Sequence, residues 1–337
     1  MNLLFLGDLF YDFDYIADDI YQIAEYIQKE KFNVILNLEG PITIENDNRI
    51  IKRGEHLCQN IKVLEVLSLL NVKGVTLSNN HMFDFLENGY EDTINWLDKY
   101  GIQHTGISKS SKDIPKGIVL EDGEECYEIF SGTDPFEESI CRGDSIGCTM
   151  IEDLLNSDIQ TVKGRKKIAF LHTGFEYNTI PTLRTVKECR NLIDQGFESV
   201  ICSHPHLVQP YEVYNGKHIF YSIGNFYFSS FRKEFSNKEV ANKSKNYCSL
   251  GYGVQIRNGQ INAIGIEYDS ATNTSLVVKN ICLERLIKTN KITYIKQFYK
   301  NRNNHNFLLT GNTLFDSWKM MLLNQMYKIY RKVKHLE

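Results

Sequence analysis

Six short apolar runs of strand type in this chain each stop at a cluster of Asp, Glu, Asn or His. They are Leu3 to Leu6 before Gly7-Asp8, Val34 to Leu38 before Glu39, and Val75 to Leu77 before Ser78-Asn79-Asn80-His81. The later three are Ile168 to Leu171 before His172, Val200 to Cys202 before Ser203-His204-Pro205-His206, and Ile219 to Ser222 before Gly224-Asn225. In an α/β sheet the carboxyl ends of the strands lie along one edge, where ligands bind. Six polar endings therefore predict an α/β chain with a single cleft, and their mixture of carboxylates, amides and imidazoles predicts a metal in it.

Between the endings the pattern is helical. Ile20, Ile23, Ala24 and Ile27 give one apolar face to a helix over 16–30, Val63 to Leu70 predicts a second, and Ile94, Leu97 and Tyr100 share a face of a third over 90–100. Strands separated by such helices predict βαβ units and a largely parallel sheet. From Lys112 to about Asp153 the runs Gly117 to Glu121 and Cys126 to Ser131, joined by a polar turn, predict hairpins. A helix over Leu183 to Gln195 closes at Gly196, and Tyr211 to Lys217 predicts a hairpin through Asn215-Gly216. Residues 229–248 are polar without period and predict a loop near the site.

A chain of 337 residues, 42% hydrophobic and 24% charged, has ample core for one large α/β domain with an appendage. The expected boundary is at 270, with 1–270 as the domain and 271–337 as a basic, partly helical extension. A net charge of -4 offers no general attraction to nucleic acid. Cys58, Cys126, Cys141, Cys148, Cys189, Cys202, Cys248 and Cys282 show no CxxC spacing, which predicts reduced thiols. The apolar start Met1 to Leu6 runs into Asp8, Asp12, Asp14, Asp18 and Asp19 with no basic leader, so a first strand is expected instead of a signal peptide. No run approaches the roughly 18 apolar residues of a membrane span, and a cytoplasmic address is the expectation. From Arg285 onward, 11 Lys and Arg stand against two acidic residues, Asp316 and Glu337, and Leu314 to Val333 is amphipathic. Two readings stand: a helix peripheral to an anionic inner membrane face, or one docked on its own domain or a second subunit.

His204-Pro205-His206 puts two imidazoles on one short loop, and imidazole suits Zn, Mn or Fe. An isolated HxH is weak evidence. Asp8, Glu39, Asn80 and His172 at equivalent strand ends add the oxygen and nitrogen donors that hydrolytic two-metal centres use.

The segments Gly7-Asp8, Asn37-Leu38-Glu39-Gly40-Pro41, Leu77 to Asp84, Leu171 to Tyr177, Ser203 to His206 and Ile219 to Phe226 together resemble the ordered motifs of the CapA capsule-synthesis family, in the calcineurin-like metallophosphoesterase superfamily. The resemblance covers roughly 1–270. It implies a four-layer α/β/β/α sandwich with a helical C-terminal extension, a metal cleft at one edge, and a role in making or anchoring poly-γ-glutamate or a surface polysaccharide. It also implies Glu39 as the bridging carboxylate, with Asn80, His172 and His204 completing one metal and Asp8 and His206 ligating the other. The superfamily's Asp-x-His pattern needs His at position 10, where this chain has Phe10, and it uses Asp where this chain has Glu39. One strong site beside a weak, differently ligated or absent one is the expectation, filled by one or two divalent ions of Mn, Zn or Fe.

The resemblance makes His81 the proton donor to the leaving oxygen. Asp84 is placed either to orient His81 or to cap the next turn. Glu176 is placed to accept a proton, orient the attacking water or hold a ligand His. Asn225 is a substrate contact or a turn-closing residue. His56, His104, His218 and His305 match no motif. Lys52 and Arg53 beside Gly54 are expected as solvated basic residues, with binding of an anionic substrate as the other reading. The functional expectations are a phosphoester hydrolase, a hydrolase of an amide or glycosyl bond of the polymer, or an accessory scaffold retaining the fold. The expected partners are an anionic or polymeric substrate and a capsule-synthesis membrane complex met through the basic C-terminal helix.

Overall fold

The computed structural model describes residues 1–281 except 45–47, 53, 111–112, 114, 124, 137–145, 160–161, 230–249 and 270–273. The chain divides into two units, Met1–Thr289 and Asn290–Glu337. The amphipathic tail, His305, Arg53, Cys141, Cys248, Cys282 and nearly all of the 229–248 loop lie outside the described residues.

The first passage alternates as expected: β1 (Asn2–Phe10), α1 (Asp18–Lys29), β2 (Asn33–Leu38), α2 (Val63–Leu69), β3 (Val72–Thr76), α3 (Leu86–Lys99) and β4 (Gln103–Thr105). Next come β5 (Ile107–Ser108), β6 (Ile118–Asp122), β7 (Glu125–Thr133), β8 (Gly147–Cys148) and α4 (Ile151–Asn156). The second αβ passage is β9 (Arg165–His172), α5 (Leu183–Asp194), β10 (Phe197–Ser203), β11 (Tyr211–Tyr214), β12 (Lys217–Phe220) and β13 (Asn225–Phe228). A closing meander follows in β14 (Leu250–Arg257), β15 (Gln260–Asp269) and β16 (Thr274–Ile281).

Two sheets result. The first runs β16-β15-β14-β1-β2-β3-β4, with β13 also paired to β1; the second runs β11-β12-β10-β9-β7-β6. The pairs joining β1 to β4 are parallel, as are those joining β7, β9, β10 and β12.

The period of two in each strand creates the layers. Leu3, Phe5 and Ile35 face the second sheet and pack with Ile129, Ile168, Phe170, Ile201 and Phe220. Leu4, Leu6, Val34 and Leu36 face the other way, onto Ile20, Ile23, Ala24 and Ile27 of α1 and Val63, Val66 and Leu67 of α2. On the far side, Ala169, Leu171, Val200 and Cys202 meet Ile151 and Leu154 of α4 and Cys189, Leu192 and Ile193 of α5. The order is α/β/β/α, the sandwich the resemblance implied. Each fully buried Leu or Ile contributes about 1.5–3 kcal/mol, so these three apolar layers hold the two sheets in register.

Departures from the sequence reading have local causes. Helix α3 starts at Leu86, ahead of its apolar stripe, and Tyr100 is 43% exposed beyond its end. Strand β7 is an arm of the expected hairpin with β6 and also a parallel partner of β9, which makes it interior. Helix α4 was not expected, being too short to show a period; the Asp153 carboxylate accepts from the Met150 backbone N–H at 2.7 Å and caps it. Across 270 the first sheet continues into β16, and the first unit runs on to Thr289. The hairpin at Asn215-Gly216 has both residues at positive φ, as its turn requires.

Candidate metal centre

Each polar ending is positioned by the strand before it. Asp8 sits where β1 slips register against both β2 and β13, a bulge that re-aims a side chain. Gly7 makes that bulge feasible, because a Cβ there would lie 1.8 Å from the Gly224 carbonyl oxygen. Glu39 follows β2, and its backbone carbonyl accepts from Gln59 Nε2 at 2.8 Å. Asn80 follows β3, on a turn held by Asn79, which donates to the Leu38 carbonyl and accepts from the His81 N–H. His172 ends β9. His204 and His206 follow β10 on either side of Pro205, both at positive φ (102° and 57°), conformations uncommon for a residue with a Cβ and concentrated at functional sites.

These endings converge from both sheets. Glu39, His172 and His204 form one group of donors whose atoms lie within 4.8 Å of one another, and Asp8, Glu39 and His206 form a second. Glu39 belongs to both. Asn80 joins the first group, its amide oxygen 2.8 Å from His172 Nε2, which is itself 3.0 Å from His204 Nδ1. In the second, Glu39 Oε1 lies 3.9 Å from His206 Nε2. Position 10 supplies no donor: Phe10 packs with Leu57 and Phe228, and Phe228 in turn meets the His206 ring at 5.0 Å.

The electrostatics fit a divalent cation. Both carboxylate oxygens of Glu39 are buried without a hydrogen-bond partner, an arrangement that is costly unless a cation is shared between them. Burial pushes the Glu39 carboxyl well above its ordinary range, and the negative charges of Asp8, Glu176 and Asp84 push further, against a pull from Lys52. Burial also raises Asp8, but His172, His206 and Ser203 outweigh it and leave that carboxyl lowered. Burial, then the rings of His172, His206 and His81, hold His204 well below the usual imidazole value, so it is neutral and able to ligate. The donor set, one shared carboxylate with imidazole, amide and carboxylate around it, suits Mn, Zn or Fe.

His81 stands beside this centre. Its Nδ1 lies 2.7 Å from Asp84 Oδ2, and burial, opposed by that carboxylate and assisted by Lys52, lowers its pKa. Asp84 is not a helix cap: it accepts from the Leu57 N–H at 2.8 Å, pairs with Lys52 and holds His81. Lys52 corrects the expectation of a solvated lysine, since its side chain is 5% exposed. Glu176 is exposed on the turn after β9, near enough for its charge to act on Glu39. Asn225 pairs with Asp8 across β1 and β13 and places Oδ1 2.8 Å from His206 Nδ1, a ring-holding contact that neither expected role covers.

The remaining histidines lie elsewhere. His56 meets the Ile50 carbonyl at 2.8 Å, His104 is 3.5 Å from Asp98, and His218 meets the Tyr211 hydroxyl. The five described cysteines form no disulfide with one another. Among the described residues no helix is long and apolar enough to cross a membrane.

Sequence reasoning missed Asn37. Its Nδ2 donates to Asp8 Oδ1 at 2.7 Å and lies 3.2 Å from His172 Nδ1, tying Asp8 of one sheet to His172 of the other. The signal was present as the one polar residue inside the apolar run Val34 to Leu38. Phe136, 5.0 Å from the His204 ring, and Tyr177, 5.9 Å from His206, had no comparable signal.

Comparison with known proteins agrees with the motif pattern. Residues 3–230 match the family model described as bacterial capsule synthesis protein PGA_cap. The chain is 29% identical over 221 residues to the PGA biosynthesis protein CapA of Bacillus subtilis, covering 63% of this chain and 57% of that one. It is 25% identical over 209 residues to a probable polyglutamine synthesis accessory protein of Mycobacterium tuberculosis, covering 57% and 54%. The chain thus spans little more than half the length of these curated relatives. Among solved structures, a novel phosphatase of Mycoplasma pneumoniae aligns at 14% identity and TM-score 0.43 over 89% of this chain and 98% of that one. A hypothetical protein of Thermus thermophilus aligns at 14% and 0.44, over 83% and 98%. With more than half of its length matched, the chain belongs to the bacterial capsule synthesis protein family PGA_cap.

Proposed function

We propose that this chain is a metal-dependent hydrolase of the phosphoesterase type, acting in the biosynthesis of a capsule or other surface polymer. The observation that carries the reading is Glu39, buried with both oxygens unpartnered and common to two donor groups. Divalent ions, when bound, supply Lewis-acid activation of water and of the phosphoryl group. Asp8, Asn80, His172, His204 and His206 hold them around Glu39. His81, with Nδ1 donating to Asp84, would in its imidazolium form give the Nε2 proton to the departing oxygen and be left neutral. Glu176, exposed after β9 and near enough for its charge to act on Glu39, would take the proton released from the attacking water. The names of the Bacillus subtilis and Mycobacterium tuberculosis relatives support a place in polyglutamate-type polymer synthesis and an anionic or polymeric substrate.

The test is hydrolysis of an aryl phosphate and a phosphodiester panel with added Mn²⁺. Turnover abolished in Asn80→Ala and His206→Ala is expected; absence of turnover with any divalent ion across the panel would overturn the reading.

A second reading, a non-catalytic accessory protein of a polymer-assembly complex, draws on the apolar cluster of Phe10, Leu57 and Phe228 where a donor is expected. It predicts a metal content well below one ion per chain.

A further inference from the structure

Ile50, Lys52 and Leu57 are strapped to the turn that carries His81, and Asp84 is the buckle. The Asp84 backbone carbonyl accepts from the Ile50 N–H at 3.0 Å, its Oδ2 accepts from the Leu57 N–H at 2.8 Å, and its other oxygen pairs with Lys52. The strap brings the Lys52 ammonium 3.1 Å from His81 Nδ1 and close enough to Glu39 to pull that carboxyl down. A long cationic side chain 5% exposed is uncommon, because its charge must be paired and its three donors satisfied.

Among the described residues the polar neighbours of Lys52 Nζ are Asp84 and His81. His81 Nδ1 has a single in-plane position, and when it donates to Asp84 at 2.7 Å it cannot also accept from Lys52. Lys52 then has one carboxylate partner and N–H groups left over beside the metal centre. Lysine is a compact point charge that binds phosphoryl oxygens well.

We propose that Lys52 is a substrate-binding residue that receives an anionic phosphoryl oxygen in the cleft, with Asp84 as the arm that positions it. This rests on the hydrolase reading for its location beside the reacting bond. Lys52 makes the cleft selective for esters that keep a negative charge next to the scissile bond, and sets KM more than kcat.

The experiment measures binding of inorganic phosphate to the Mn²⁺-loaded full chain by calorimetry, in wild type, Lys52→Gln and Lys52→Arg, with Mn content and melting temperature recorded for each. Lys52→Gln is expected to weaken phosphate by about tenfold or more, the loss of one charge-assisted hydrogen bond, with Mn content unchanged, and Lys52→Arg to recover most of it. Phosphate affinity equal to wild type in Lys52→Gln overturns the proposal, as does a wild type that holds Mn²⁺ and binds no phosphate. If Lys52→Gln melts early, the double variant Lys52→Met with Asp84→Asn removes both buried charges and is read in the same way: weak phosphate binding supports the assignment, and wild-type affinity overturns it. Phosphate binding that depends on Lys52 without turnover of any ester counts against the hydrolase reading alone; turnover with unchanged phosphate affinity in Lys52→Gln counts against Lys52 alone.

Discussion

Single residues carry most of the chemistry. Glu39 is an acid held where neither oxygen finds a donor, so in the metal-free protein its carboxyl pKa is raised. The sign follows: between the unfolded carboxylate range and the raised folded value, the fold keeps a proton that the unfolded chain has lost. Stability contributed by that proton is present at low pH and lost as pH rises through the folded value. Metal-free protein should therefore melt progressively earlier as pH rises from the acidic range, and Glu39→Gln should flatten this slope, as read by melting curves after chelation. Asn37 acts by holding ligands on both sheets; Asn37→Ala is expected to weaken metal binding by about 10–100-fold with the fold retained, measured by metal titration. Glu39, Asp8 and His172 were legible as polar endings of apolar runs, whereas Asn37 showed only as a polar residue inside one. Lys52 and Phe136 were not legible, because nothing in a loop's composition says which of its side chains the chain returns to a distant cleft.

At the scale of elements, the centre depends on how strands end. The close passage of Gly7 under the Gly224 carbonyl allows the bulge that aims Asp8. Gly7→Ala forces those backbones apart and should cost about 1–3 kcal/mol or more by denaturant titration, together with loss of metal affinity. The long helices and parallel strands were readable because their periods repeat over two or more turns or pleats. The short helix α4 and the interior position of β7 were not, since six residues show no period and the partner of β7 is β9, a segment far along the chain. Asp84 could be read as a cap or an orienting residue from its place before α3; its bond to the Leu57 N–H needs a loop contact that local sequence does not encode.

For the whole molecule, two sheets with their parallel strands ending at one edge bring together donors separated by nearly the length of the domain, from Asp8 to His206. At position 10, where the anticipated asymmetry would arise, Phe10 packs with Leu57 and Phe228 and adds no fourth donor to Asp8, Glu39 and His206. Phe10→His should raise metal occupancy of that side while loosening the cluster, seen as a gain in ions bound and a lower melting temperature. Whether Glu39 is shared by a metal centre is read by elemental analysis after equilibration with Mn²⁺ and removal of free ion. Wild type is predicted to retain at least one ion per chain and Glu39→Ala almost none; wild type well below one ion per chain, or equal retention in Glu39→Ala, would contradict the account.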